Sequence, residues 1–167
     1  MSKARGPLYN VHLRRRREGV TDYTKRLALL RSGTVRLVVR KTNKYVVAQL
    51  VRYLKTGDVT IAGASSKDLS EFGFSGKCNT PSAYLTGALA AKRGSAKGVK
   101  EAIADFGRHA ASKGSLLYAV VKGASDAGLK IAVSQEKMPS AERLEGKHLK
   151  GDAGTKFADA KKKIIGG

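Results

Sequence analysis

The amino-acid sequence predicts a single α/β domain in which a mixed sheet, opening with an antiparallel meander, is packed by helices. Three observations carry that expectation. Residues 34–65 hold three runs rich in β-branched side chains separated by polar turns, residues 80–94 and 115–128 hold helical apolar stripes, and a length of 167 residues suits one core. Hydrophobic residues make up 41% of the chain and aromatics only 6%, which allows a modest core with few large anchors.

Residues 1–20 are expected to form an extended basic arm, because the four adjacent guanidiniums of Arg14, Arg15, Arg16 and Arg17 repel one another until phosphates arrive. The globular part is expected over 21–133. Thr21 and Asp22 can cap a helix whose Tyr23, Leu27 and Leu30 share a face, with Lys25, Arg26 and Arg31 around its polar sides and Gly33 closing it. In residues 34–41, Val35, Leu37 and Val39 alternate with Arg36 and Arg40, which predicts a half-exposed strand with a basic outer face. Thr42, Asn43 and Lys44 turn the chain into a second strand over 45–54, and Thr56, Gly57 and Asp58 turn it into a third over 59–65. Adjacent strands of this kind pair as a meander.

After a loop containing Gly73 and Gly76, Thr80 before Pro81 reads as a helix start, with Tyr84, Leu85, Ala88 and Leu89 on one face and Lys92, Arg93 and Gly94 as the end. Residues 115–128 repeat this logic: Ser115 caps, Leu116, Leu117, Val120, Val121 and Ala124 form the stripe, and Gly128 stops it. Between them VKEAIADFG, residues 99–107, is ambiguous on periodicity, whereas Leu129, Ile131 and Val133 alternate as one more short strand. Residues 134–167 are polar and glycine-rich, with a short helix over 139–144 and a second basic footprint at Lys161, Lys162 and Lys163. They are expected to lie along a partner or stay mobile.

Charge points to the partner. The chain carries 33 Lys and Arg against 13 Asp and Glu, a formal charge of +20. Self-repulsion of that size calls for a polyanion. The first 55 residues hold 15 basic and two acidic side chains, so the polyanion is expected to meet the N-terminal third most closely. Arginine binds phosphate bidentately and stacks on bases, and Tyr9, His12 and Tyr23 add stacking surfaces, which favours RNA. A solvated tail without a role and a nuclear-localisation address are the rival readings of the arginine run. No membrane association is expected, since neither a long apolar span nor an amphipathic basic helix with bulky anchors is evident. MSKARGPLYN leads into arginines and not into an apolar stretch, so a cytosolic chain is expected.

Enzyme chemistry finds little support. Cys78 is the sole cysteine, which excludes an internal disulfide and a multi-thiolate zinc site, and His12, His109 and His148 lack paired metal-ligand spacing and are expected as surface or RNA-contact residues. GFSGKC fails the phosphate-loop pattern at Glu71 and at Cys78, and Gly73 with Gly76 matches the GxxG of KH domains only as a short pattern of low specificity. Asp58, Asp68, Asp105 and Asp126 are isolated in sequence, a weak basis for a two-metal nuclease. No cofactor is expected.

The block GPLYNVHLRRRREGVTDYTKRLALLRSG, followed by VRLVVRKTNKYVVAQLV, closely resembles the opening of archaeal large-subunit ribosomal proteins of the L-eighteen family, which binds 5S ribosomal RNA. Similarity continues through NTPSAYLTGALAAKR and LLYAVVKGASDAGL and so covers nearly the whole chain. The resemblance implies a ribonuclease-H-like fold without catalysis, a place in the central protuberance, and contacts with 5S rRNA, large-subunit rRNA and neighbouring ribosomal proteins. It also implies that residues 99–107 form a strand preceding the helix at 115–128. The family's RNA-contacting segment carries over to Arg14–Arg17, Lys25 and Arg26, and further to Arg36, Arg40, Lys41, Asn43 and Lys44. Arg5, Tyr9, His12, Tyr23 and Arg31 complete the expected rRNA-binding set. A metal-dependent nuclease and a free regulatory RNA binder are the alternatives.

Overall fold

Side-chain alternation along residues 36–65 produces the antiparallel half of a five-stranded sheet. The computed structural model describes residues 6–149 and 153–166. β1 (Arg36–Lys41), β2 (Val46–Leu54) and β3 (Gly57–Ser65) form the expected meander. Leu37 stands opposite Leu50, Val39 opposite Ala48, and Ala48 in turn opposite Ala64, so one face of the meander is uniformly apolar. β4 (Glu101–Asp105) lies parallel beside β1, and β5 (Lys130–Ile131) parallel beside β4. The order is β3-β2-β1-β4-β5, a mixed sheet compatible with the ribonuclease-H-like arrangement. Residues 99–107, undecided on periodicity, thus contain the strand that the resemblance implied. β5 is shorter than the alternation suggests: Val133 lies beyond it and packs half-buried against the core.

Six α-helices complete the described residues: α1 (Arg14–Arg17), α2 (Tyr23–Leu30), α3 (Thr80–Ser95), α4 (Leu116–Asp126), α5 (Ala141–Glu145) and α6 (Ala153–Gly166). α3 and α4 cover the apolar face of the sheet, and the core gathers Leu37, Val39, Leu50, Leu85, Val120 and Val121, all fully buried. α3 is buried on all sides and not on one stripe, since the sheet, α4, α5 and α6 all contact it. Its bounds lie within a residue of those expected, but its capping differs. Asn79, not Thr80, is the N-cap, accepting from the Ser82 amide at 2.9 Å, and Thr80 is the first helical residue. Gly94 does not stop the helix; it is buried where a Cβ would stand 2.1 Å from Leu50 Cδ1, and the chain reverses at Gly98 with φ +79°.

The C-terminal stretch departs further from the expected tail. α6 docks against α3 through Phe157, Ala160 and Ile164, all buried and spaced at three and four residues. Its Phe157 ring lies 5.5 Å from that of Tyr84, and Lys161 Nζ stands 5.4 Å over the same tyrosine. The Tyr84 hydroxyl donates to Asp126 of α4 at 2.8 Å, and burial, followed by that carboxylate, pushes its ionisation well above the ordinary tyrosine range. The Gly73-Gly76 pair is also structural: Gly73 ends a 3₁₀ turn over Ser66–Phe72 at φ +79°, and a Cβ on Gly76 would stand 1.7 Å from the Ser66 carbonyl oxygen.

α3 and α4 meet backbone to backbone. A Cβ on Gly87 would lie 2.0 Å from the Val120 carbonyl oxygen, and one on Gly123 would lie 1.9 Å from that of Tyr84. Both positions have helical φ, so the cost of a methyl group is steric. Gly87→Ala is expected to destabilise the fold by about 1–3 kcal/mol or more, read as a lower urea midpoint with an unchanged slope.

Candidate nucleic-acid interface

The opposite face of the sheet is organised by charge. Arg36, expected on an exposed basic face, is instead 2% exposed. Its Nη1 donates to Asp105 at the end of β4 and its Nη2 to Asp58 at the start of β3, both at 2.8 Å. Alternation places Arg36 off the apolar face as predicted, but two carboxylates close on it. Asp58 also accepts from Arg26 of α2 at 2.9 Å, while Asp105 accepts from Arg40 at 3.3 Å and from the Gly107 amide at 2.9 Å. Burial by itself raises the Asp58 pKa, but hydrogen bonds and charge from Arg36 and Arg26 outweigh it and hold the carboxyl below its ordinary range.

α2 is tied to the sheet by one of these ion pairs, Arg26–Asp58. None of its residues is buried; Tyr23 and Leu30 are half-buried, and Leu27, expected on the docking face, is 54% exposed. Asp22 caps it as expected, accepting from the amides of Thr24 and Lys25. Upstream, the arginine run is one helical turn, not an extended arm. Arg14 pairs with Glu18 at 3.6 Å, the Arg15 carbonyl accepts from the amides of Val20 and Thr21, and Gly19 takes φ +69°. A carboxylate four residues on and a glycine able to reverse the chain close the turn despite like charge.

The predicted contact residues separate into two groups. Arg36, Arg26 and Arg40 are committed to carboxylates, and Arg40 also donates to the carbonyls of Val39 and Asp105. Arg14–Arg17, Lys25, Arg31, Lys41, Asn43 and Lys44 are exposed, as are Tyr9 and His12, and Tyr23 is half-buried. Of these, the side chains of Arg16, Arg17, Lys25, Arg31, Lys41 and Lys44 make no hydrogen bond or ion pair among the described residues. Arg5 lies outside the described residues.

A cleft of about 660 Å³ brings Arg15, Lys25, Arg26 and Arg40 together with two residues of the loop after β4: His109, expected as a surface or RNA-contact residue, and Arg108, which sequence reasoning missed. Only the fold carries that loop to the N-terminal helices; its sole sequence signal was two basic residues after an uncertain strand. Burial, and then the charges of Arg40 and Lys41, lower the His109 pKa, so the ring is neutral at pH 7. No group of three metal-ligating side chains occurs among the described residues, and no helix among them is long and apolar enough to cross a membrane. Cys78 is a half-buried thiol packed at the core's edge.

Residues 8–99, which include α1, α2 and the meander, match the family model described as ribosomal large subunit proteins 60S L5 and 50S L18. The chain belongs to this family. It is 51% identical over 148 residues to the large ribosomal subunit protein uL18 of Korarchaeum cryptofilum, covering 87% of this chain and 75% of that protein. The proteins of the same name from Staphylothermus marinus and Desulfurococcus amylolyticus are 48% and 49% identical over 148 residues, covering 87% of this chain and 73% and 76% of theirs. The family is one of structural ribosomal proteins, not enzymes. In this L18-family member the cationic helices and the cleft both fall within or beside the matched segment.

Two outcomes follow from the charges. A depressed folded pKa means that Asp58 contributes stability above its unfolded value of about 3.9 and loses it as pH falls through the folded value. Asp58→Asn should therefore cost about 1–2 kcal/mol at neutral pH and flatten the acid limb of a stability–pH curve measured by urea unfolding. In an NMR titration, His109 should titrate below the ordinary histidine value of about 6.5 and move upward as added salt screens Arg40 and Lys41.

Proposed function

We propose that this chain is a structural constituent of the large ribosomal subunit that binds 5S rRNA and helps attach it to large-subunit rRNA in the central protuberance. One observation carries the reading: α1, α2 and the β1–β2 turn present lysines and arginines without a protein partner among the described residues, while nearby Asp58 and Asp105 are occupied by Arg26, Arg36 and Arg40, and Asp22 by backbone amides. Burying phosphates against such groups releases counterions and gives affinity, while the shape of the folded RNA gives selectivity. The family match and the name its relatives bear support the assignment to the large subunit. In this reading residues 1–20 act as the RNA-binding arm and Arg36 serves the fold, not the RNA. Tyr9, His12 and Tyr23 offer rings to unstacked bases.

Replacing Arg14, Arg15, Arg16 and Arg17 together by alanine should weaken 5S rRNA binding by about a hundredfold or more near physiological salt. The log–log salt dependence should flatten by roughly 0.7 to 0.9 for each phosphate that is no longer neutralised. Filter-binding titrations at several salt concentrations give both numbers, and an unchanged affinity with an unchanged slope would sink the reading.

A further inference from the structure

β1 and β4 are neighbours and parallel, and the chain leaves their carboxyl ends in opposite directions, β1 turning back into β2 and β4 passing through α4 to β5. In open α/β sheets such a divergence leaves a crevice beyond the strand ends, and ligands settle there. Here the crevice is the cleft lined by Arg40 of β1, by Ala104 and Asp105 of β4 and by the loop that follows. Its volume of about 660 Å³ falls within the roughly 300–1,000 Å³ of small-ligand sites.

The lining is divided by chemistry. Val20, Leu29, Ala104 and Phe106 supply apolar surface, and Arg15, Lys25 and Arg108 are exposed cations. Lys25 and Arg108 have side chains without a hydrogen bond or ion pair among the described residues, and Arg15 commits its Nε to Thr21 Oγ1 at 2.9 Å. The two carboxylates at the cleft do not neutralise them. Asp105 is taken up by Arg36, Arg40 and the Gly107 amide, and Asp22 by the amides of Thr24 and Lys25. Arg108 also reaches the opposite wall, its Cζ only 3.9 Å from where a Cβ on Gly19 would stand, so loop and N-terminal segment face each other across the opening.

A concave site with a cationic rim and apolar walls matches a nucleotide taken out of its stack better than it matches a duplex. Duplex RNA keeps its bases inside and offers only its backbone and shallow groove. We propose that this cleft holds one unstacked nucleotide of the bound RNA, its phosphate on Arg15, Lys25 and Arg108 and its base against the wall formed by Leu29, Phe106 and His109. The proposal rests on the RNA-binding reading above and adds a subsite to it. A neutral His109 suits the base side, since it adds no charge there and can stack or accept a hydrogen bond.

The test compares three variants of the full chain, each titrated with 5S rRNA at several salt concentrations. Ala28→Phe fills the cleft from an exposed position on α2 without changing charge; it should weaken binding about tenfold with an unchanged salt slope, as expected for losing one stacked base. Arg108→Ala should also weaken binding about tenfold, with the slope reduced by roughly 0.7 to 0.9. Arg16→Ala/Arg17→Ala, outside the cleft, reports on RNA binding itself. Chemical probing of the wild-type complex should show a nucleotide with a reactive backbone and a shielded base, and this signature should vanish with Ala28→Phe. Should Ala28→Phe lower the melting temperature, Arg108→Ala decides, because that side chain has no hydrogen bond or ion pair among the described residues to give up. Wild-type affinity for both cleft variants, with the Arg16/Arg17 variant weakened, overturns the subsite and leaves the RNA reading standing. Wild-type affinity for all three overturns the RNA reading as well.

Discussion

Arg36 is the point at which the sheet and the N-terminal helices are tied together. A guanidinium this deeply buried costs several kcal/mol unless it is paired, and two carboxylates reach it, one from β4 and one from the β2–β3 hairpin. Through Asp58 the same cluster extends to Arg26, so α2, which buries no residue fully, is tied to the sheet by an ion pair as well as by the half-buried Tyr23, Leu29 and Leu30. Asp105 passes the connection on to Arg40 and to the Gly107 amide, fixing the start of the loop that carries Arg108 and His109.

A chain of charge +20 therefore uses its cations in two ways. Arg26, Arg36, Arg40 and Arg93 are bound to carboxylates inside the fold, and Lys161 lies over the Tyr84 ring and helps hold α6. Among the described residues, Arg16, Arg17, Lys25, Arg31, Lys41 and Lys44 carry charge that no carboxylate pairs with, which repels within the free protein and is relieved by a polyanion. Glu18 offsets little of it, because its pair with Arg14 is exposed and of the kind that contributes weakly.

Some elements were legible because their signals are local. The meander shows a period of two, Asp22 sits before a run of helix formers, and the apolar stripe of α4 repeats at three and four residues. Others carried diluted signals. β4 has only five residues and includes two alanines and a buried aspartate, so no alternation stands out, and it became readable only through family resemblance. α6 spaces Phe157, Ala160 and Ile164 correctly for one face, but lysines and glycine surround them and the segment reads as polar until α3 covers it. The α1 turn depends on Glu18 and Gly19 closing behind the arginines, a capping effect that the like charges concealed.

By itself, the sequence determined the fold class, the meander, the main helices and the concentration of positive charge at the front of the chain. Tertiary structure decided which of those charges are free. The alternation that put Arg36 on the polar face could not reveal that Asp58 and Asp105, 22 and 69 residues away, would close over it. Nor could it bring Arg108 to the N-terminal helices. A side chain's charge is written in its own residue, but its partners, and hence what that charge is available to bind, are set by contacts between segments distant along the chain.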